Sequence, residues 1–456
     1  MKMRIHRILR WARNGFIIGF FLFLVLDGLF PMHPEIAYSK LIYSEEGRPM
    51  AAYLSSDDKW RLCLKDEEIT DQIKEAFLIK EDRFFYYHPG FNPVSMLRAG
   101  IQNIRGGKRI SGASTITMQL VRLIHPRERT YSNKLLEVFQ AFQLEWHYSK
   151  DEILRMYLNL VPYGGNIEGI KSASLLYFQC LPEQLSPAQI ATLSVVPNRP
   201  GTWRLRAGNE ELLEARNTWL ERFFTAGWVN ETTYLSARQE ALNIERKPWE
   251  QVAPHLCRRL NLEYQSPNIH THIRYGLQKK CEALVRQYAE RLKTQKITNA
   301  SIIIIHNPTR KVIAYVGSAD FNDKENQGEV DGVLGIRSPG STLKPFLYGL
   351  SMEAGILTPK TILYDVPSYY AGYTPENYDL SFNGALTVQS ALAKSLNIPA
   401  VTALQQYGVK DFVRKMSEVD MKQIKKQEKD LGLSMILGGC GVQLEPLTNA
   451  YASLAN

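Results

Sequence analysis

Cysteine is scarce and scattered in this chain. The five cysteines in 456 residues, Cys63, Cys180, Cys257, Cys281 and Cys440, include no CxxC pair. That excludes a zinc ribbon and a dithiol redox motif, and the odd count reads as buried free thiols. There is no low-complexity tract and no internal repeat, and 45% hydrophobic with 22% charged residues is ordinary for a globular protein. Disordered and collagen-like classes are set aside. A net basic excess is also nearly missing from most of the chain. The net charge is +9, but Lys2, Arg4, Arg7, Arg10 and Arg13 supply five of it within the first 13 residues, where no acid stands. The remaining +4 is no nucleic-acid footprint, and no nucleic-acid partner is expected.

An apolar run of 18 residues, Gly15 to Met32, follows the basic end, interrupted only by Asp27. About 20 apolar residues span a bilayer as a helix, so the run is expected to be a transmembrane anchor. Lysine and arginine stay on the cytoplasmic side. The expectation is therefore a single-pass protein of the cytoplasmic (inner) membrane with its catalytic domains on the outer face. A cleaved signal peptide fits less well, because the run is long and no small-x-small site follows Asp27.

Beyond the anchor, helical signals dominate residues 35–205. Ser149-Lys-Asp-Glu152 and Ser186-Pro-Ala-Gln189 are capping boxes, the second with proline at the first helical position. Val94, Leu97, Ile101 and Ile104 share one helical face. Residues 206–295 read as a helical linker. Then Ser301–His306 and Lys311–Val316, joined by Asn307-Pro-Thr309, predict a β-hairpin that opens a new domain.

Two clusters carry chemistry. In the first, Glu81-Asp-Arg-Phe-Phe-Tyr-Tyr-His88-Pro-Gly90 packs acids, aromatics and a histidine into ten residues. A salt-bridged helix end would explain any one of these acids. A loop rich in glycine, hydroxyls and base follows, from Arg105 to Thr115; between Arg105 and Lys134 stand seven basic residues and one acid, Glu128. Glycine allows close backbone approach, and amides, hydroxyls and cations together suit phosphate oxygens. Lys134 and Glu137 are three apart and share a helix face.

Taken in order, EDRFFYYHPG, GASTITMQLVR, the Lys134-Leu-Leu-Glu137 segment and EILRMYLNLVPYGGNIEGI resemble the peptidoglycan glycosyltransferases of family 51, the first catalytic domain of class A penicillin-binding proteins, and most of all their 1C subgroup. The resemblance implies a lysozyme-like α-helical domain that polymerises lipid II into glycan strands and releases undecaprenyl pyrophosphate. It implies Glu81 as general base and Glu137 as second active-site carboxylate. A sugar 4-hydroxyl must lose a proton as it attacks the anomeric carbon, and the departing pyrophosphate needs cations. Arg122, Arg129 and Lys134 are the candidates, with His88, Ser114, Thr115 and Gln119 as further substrate-binding residues. Glu137 is also the candidate to hold a divalent metal, Mg or Mn, on the pyrophosphate; no other cofactor is expected. The sequence departs from the family at Asn133, where arginine is usual, at Arg122, where lysine is usual, and at Ala113, where a second glycine is usual.

The second cluster is Ser341-Thr-Leu-Lys344 with Ser395-Leu-Asn397 about 50 residues on. S-x-x-K at a helix start puts a hydroxyl and an amine on one face, where a neutral amine can take the serine proton. With S-x-N behind it, this resembles the penicillin-binding transpeptidase domain. Ser341 is then the acylated nucleophile and the candidate β-lactam target, Lys344 its base, and Ser395 and Asn397 proton relay and substrate contact. The third motif of that domain, Lys-Thr-Gly or Lys-Ser-Gly, does not occur, and Arg274 stands where the approach to the domain normally carries aspartate. Cross-linking by this chain is therefore not expected.

The expected architecture is multidomain, α and α+β. Residues 1–34 form a cytoplasmic tail and transmembrane anchor, 35–205 the glycosyltransferase domain, 206–295 the linker, and 296–456 a partial penicillin-binding domain. The expected partners are lipid II, the growing glycan chain, the membrane and other cell-wall proteins. Two alternatives compete: a lytic transglycosylase, and a non-catalytic β-lactam sensor or scaffold.

Overall fold

The computed structural model describes residues 2–93, 114–128, 130–247, 249–370 and 372–456. The helical face expected at Val94 to Ile104, the basic loop from Arg105 to Ala113, and Arg129 lie outside the described residues. The chain divides into two compact units, one of residues 1–41, 52–250 and 266–268, the other of residues 42–51, 251–265 and 269–456.

The first unit is helical. Helix α1 (Lys2–Leu29) precedes α2 (Asp71–Glu81), α3 (Ile116–Ile124), α4 (Tyr131–His147), α5 (Lys150–Leu160), α6 (Pro187–Val195), α7 (Glu210–Thr225) and α8 (Glu231–Gln239). Side chains fix most of the starts. Thr70, Thr115 and Thr130 accept from the third amide of α2, α3 and α4. Both expected capping boxes are present, Ser149 with Glu152 and Ser186 with Gln189; a cap of this kind is worth about 1 kcal/mol. Helix α3 packs against α4 and α5, and α2 against α6. Their shared core includes Phe77, Phe85, Leu120, Leu144, Tyr157 and Leu193, and continues into Leu212, Leu220 and Phe223 of α7. Arg216 of α7 is buried as well, donating to the carbonyls of Arg238 and Glu240 where α8 ends.

The expected transmembrane anchor is not found. Helix α1 ends at Leu29, so the apolar stretch that is helical runs only from Gly15 to Leu29. At 1.5 Å per residue that is about 22 Å, against a hydrocarbon core of about 30 Å. Its far end is committed to protein. Asp27 is buried, accepts from Gln143 Nε2 at 2.9 Å and pairs with His147 Nε2 at 2.8 Å. Phe23 stacks edge-on against Phe142. Among the described residues no helix is long and apolar enough to cross a membrane. The multidomain α and α+β reading stands; the single-pass membrane reading does not.

The second unit is α+β. The expected hairpin forms: β1 (Ile302–His306) pairs antiparallel with β2 (Lys311–Val316). Helix α9 (Tyr275–Leu292) packs on it, and Gln278 exchanges two hydrogen bonds with the Tyr315 backbone. Arg274, at the position where the family carries aspartate, pairs with Glu45. A second core gathers α10 (Lys344–Glu353) and α11 (Asn397–Tyr407) beside a hairpin of β3 (Ile362–Asp365) and β4 (Gly384–Thr387).

One glycine fixes the turn that follows α2. Gly90 has φ +85°, and a methyl there would sit 2.7 Å from the Ala141 carbonyl oxygen. Gly90→Ala combines left-handed backbone strain with this collision and should destabilise the first unit by about 1–3 kcal/mol. Urea unfolding followed by tryptophan fluorescence checks it; an unchanged midpoint would mean that the loop relaxes freely.

Candidate active sites

Helix α2 delivers the first site. Glu81 is its last helical residue, and Asp82 leaves the helix with φ −161°. The neighbouring carboxylates therefore point to different partners. Glu81 Oε2 accepts from Gln119 Nε2 of α3 at 2.9 Å, and its Oε1 accepts from the ammonium of Lys80. The Glu81 side chain is 9% exposed and that of Lys80 is 0%. Tyr157 of α5 completes this corner, its hydroxyl 3.4 Å from Gln119 Oε1. Burial first, and then the charge of Glu81, push the Tyr157 phenol well above its usual range, so it stays protonated.

Asp82 turns the other way. It accepts from the backbone amide of Ile116 at 3.1 Å and pairs with His88 Nε2 at 2.9 Å. His88 and Thr115 are both buried. The Thr115 hydroxyl donates to the Gly90 carbonyl and accepts from the Met118 amide. The hydrogen bonds of these two residues run inward and hold the loop. Ser114, one residue earlier, accepts from Lys134 Nζ at 2.9 Å, and the same ammonium donates to Glu137 Oε1 at 2.9 Å. The structure thus joins Glu81 to Gln119 and Ser114 to Lys134 and Glu137. Arg122 lies on the last turn of α3 and lowers the Tyr157 phenol slightly through its charge. The sequence reading missed Lys80, Asp82 and Tyr157. Lys80 carried a signal: it follows Ile73, Ala76 and Phe77 at the three- and four-residue spacing of a core stripe.

Among the described residues no group of three histidine, cysteine, aspartate or glutamate side chains is arranged to hold a metal. Glu137 Oε1 is bonded to Lys134. The side chains described here do not by themselves build a metal cage.

The second site lies at the start of α10. Ser341 sits in the 3-10 turn Gly340–Leu343 and is exposed, while Lys344, the first residue of α10, is 1% exposed. Lys344 Nζ donates to the Ser395 carbonyl at 2.7 Å and to Asn397 Oδ1 at 2.8 Å, with the Ser395 hydroxyl at 3.4 Å. Burial pushes this amine down to about 8. Ser395 has φ +51°, a conformation that costs a non-glycine residue energy and recurs at functional positions. Asn377, also missed in the sequence, accepts from the Asn397 amide and donates to the buried Asp365. These partners lie 20 and 12 residues from Asn377, beyond any local pattern.

Comparisons with known proteins agree with this division. Residues 46–224 match the transglycosylase family and residues 300–453 the penicillin-binding protein transpeptidase domain. Penicillin-binding protein 1C of Escherichia coli (strain K12) is 37% identical over 93% of this chain and 55% of its own. Penicillin-binding protein 1F of Bacillus subtilis (strain 168) is 31% identical over 84% of this chain and 55% of its own. The chain spans about half the length of these relatives. With the transglycosylase and transpeptidase matches in this order, the chain belongs to the class A penicillin-binding protein family.

Proposed function

We propose that the first unit polymerises glycan strands from lipid II, with Glu81 as general base. The observation that carries this is the Glu81 carboxylate, nearly buried and held at both oxygens, on the helix end that abuts α3. In the reaction the acceptor 4-hydroxyl passes its proton to Glu81 as its oxygen bonds to the anomeric carbon of the donor. The bond from that carbon to the pyrophosphate breaks, and the electron pair leaves with undecaprenyl pyrophosphate. Lys134 and Arg122 meet the growing negative charge. Glu137 keeps Lys134 in place. A Mg or Mn ion, when bound, would have Glu137 as its protein ligand and would offset charge on the pyrophosphate; no step here is routed through it. The pairing of Lys134 with Ser114 favours synthesis over lytic cleavage, which needs no cation for a pyrophosphate.

In the second unit Lys344, buried and with its amine pushed down to about 8, would be the residue to take the proton of Ser341. Acyl transfer also needs donors for the oxyanion, and losing one such donor costs about 10²–10³ in rate. The sequence contains no Lys-Thr-Gly or Lys-Ser-Gly to supply that side of the site.

Two outcomes follow. Glu81→Gln keeps the shape and removes the base, so polymerisation of lipid II should fall by about 10²–10⁴-fold; a wild-type rate in this variant would show that Glu81 is not the base. The 456-residue chain, given a labelled penicillin, should take up no stable stoichiometric label while polymerisation continues. A stable label that disappears in Ser341→Ala would overturn the second expectation and reveal a working acylation site.

A further inference from the structure

Lys80 is a charged partner of Glu81 to which the reaction above gives no role. It stands on the core stripe of α2, where Ile73, Ala76 and Phe77 are apolar. Its ammonium donates to Glu81 Oε1, and its far side lies 5.6 Å from the centre of the Trp219 ring of α7. That ring also carries Arg222 at 4.7 Å. A lysine fully buried in this way costs folding energy unless its charge is answered; here a carboxylate and an aromatic face answer it. We propose that Lys80 is a positioning residue for glycosyl transfer, holding the Glu81 carboxylate ionised and oriented, with Trp219 as its backing. This rests on Glu81 being the base.

The physics is a competition. Burial favours the neutral form of a carboxylic acid, and a neutral carboxyl is too weak a base to take the proton of an acceptor hydroxyl. An ammonium in contact favours the anion and opposes burial. The other groups facing this corner are Gln119 and Arg122 of α3, Tyr157 of α5, and Asp82 with His88 beyond it. Gln119 is neutral, Tyr157 stays a phenol, and Arg122 is felt at Tyr157. Asp82 is turned toward Ile116 and His88. Among the described residues Lys80 is therefore the cation in direct contact. Burial pushes the Lys80 amine down, and the neighbouring Glu81 offsets that only in part.

The pH dependence of kcat/KM for lipid II polymerisation by the full chain tests this. Lys80→Met removes the charge; Lys80→Gln removes it but keeps a donor for Glu81 Oε1; Lys80→Arg keeps it. In the first two the acid limb should move up by about 1–3 pH units, and in Lys80→Arg it should stay. A limb that does not move in Lys80→Gln, or moves equally in Lys80→Arg, overturns the inference. If neither neutral variant regains the wild-type circular dichroism, Lys80 serves stability alone and the inference also falls. Glu81→Gln is the separate control: if it polymerises at the wild-type rate, the base assignment fails, whatever the Lys80 variants do.

Discussion

The first turn of α3 is the constraint on which the first unit's site depends. Its free amides and positive end need acceptors, as at any helix start. Thr115 answers one from within. Asp82 answers another from across the fold, at Ile116, so the residue next to Glu81 is pinned to α3. Ser114, just before the helix, meets Lys134, and Gln119, one turn in, meets Glu81. A single turn therefore sets the carboxylate at one end and the cation at the other. The Gly90 carbonyl, bonded by Thr115, carries the same constraint into the loop that holds His88.

The two units solve a similar problem in similar ways. Each keeps a buried aspartate that does no proposed chemistry but holds a residue that does. Asp82 is satisfied by a backbone amide and an imidazole. Asp365 is satisfied by Asn377 and by the amide and side chain of Asn383. Asn377 then receives the Asn397 amide. Buried carboxylates with every oxygen bonded are rigid, and the rigidity is passed on to the neighbour.

Much of this was legible in the sequence, and what was missed has two causes. The capping boxes and the β1–β2 hairpin are local patterns and were read from a few residues each. Glu81 with Gln119, and Lys344 with Ser395 and Asn397, were named as candidates by ordered motifs, and the fold brings them into contact. Lys80 was passed over because a lysine in a charged run reads as solvated, although its spacing placed it on the core face. The error over α1 has a longer range. Hydropathy saw an apolar run with one acid, but the partners of that acid are 116 and 120 residues away. Asn377 was invisible for the same reason: its worth lies in contacts that no window contains.

The surroundings of Lys344 have a stereochemical consequence. Among the described residues every acceptor around its nitrogen is a neutral oxygen, and two of the three are close, at 2.7 and 2.8 Å. A neutral amine has two hydrogens and one lone pair. When the ammonium gives up a proton, the Ser395 carbonyl and Asn397 can keep the two hydrogens without moving. The lone pair is then left to the third direction, where the Ser395 hydroxyl stands at 3.4 Å. That hydroxyl is a donor as well as an acceptor. It can reverse its rotor and point its own hydrogen at the nitrogen, so one hydroxyl can match either protonation state of the amine.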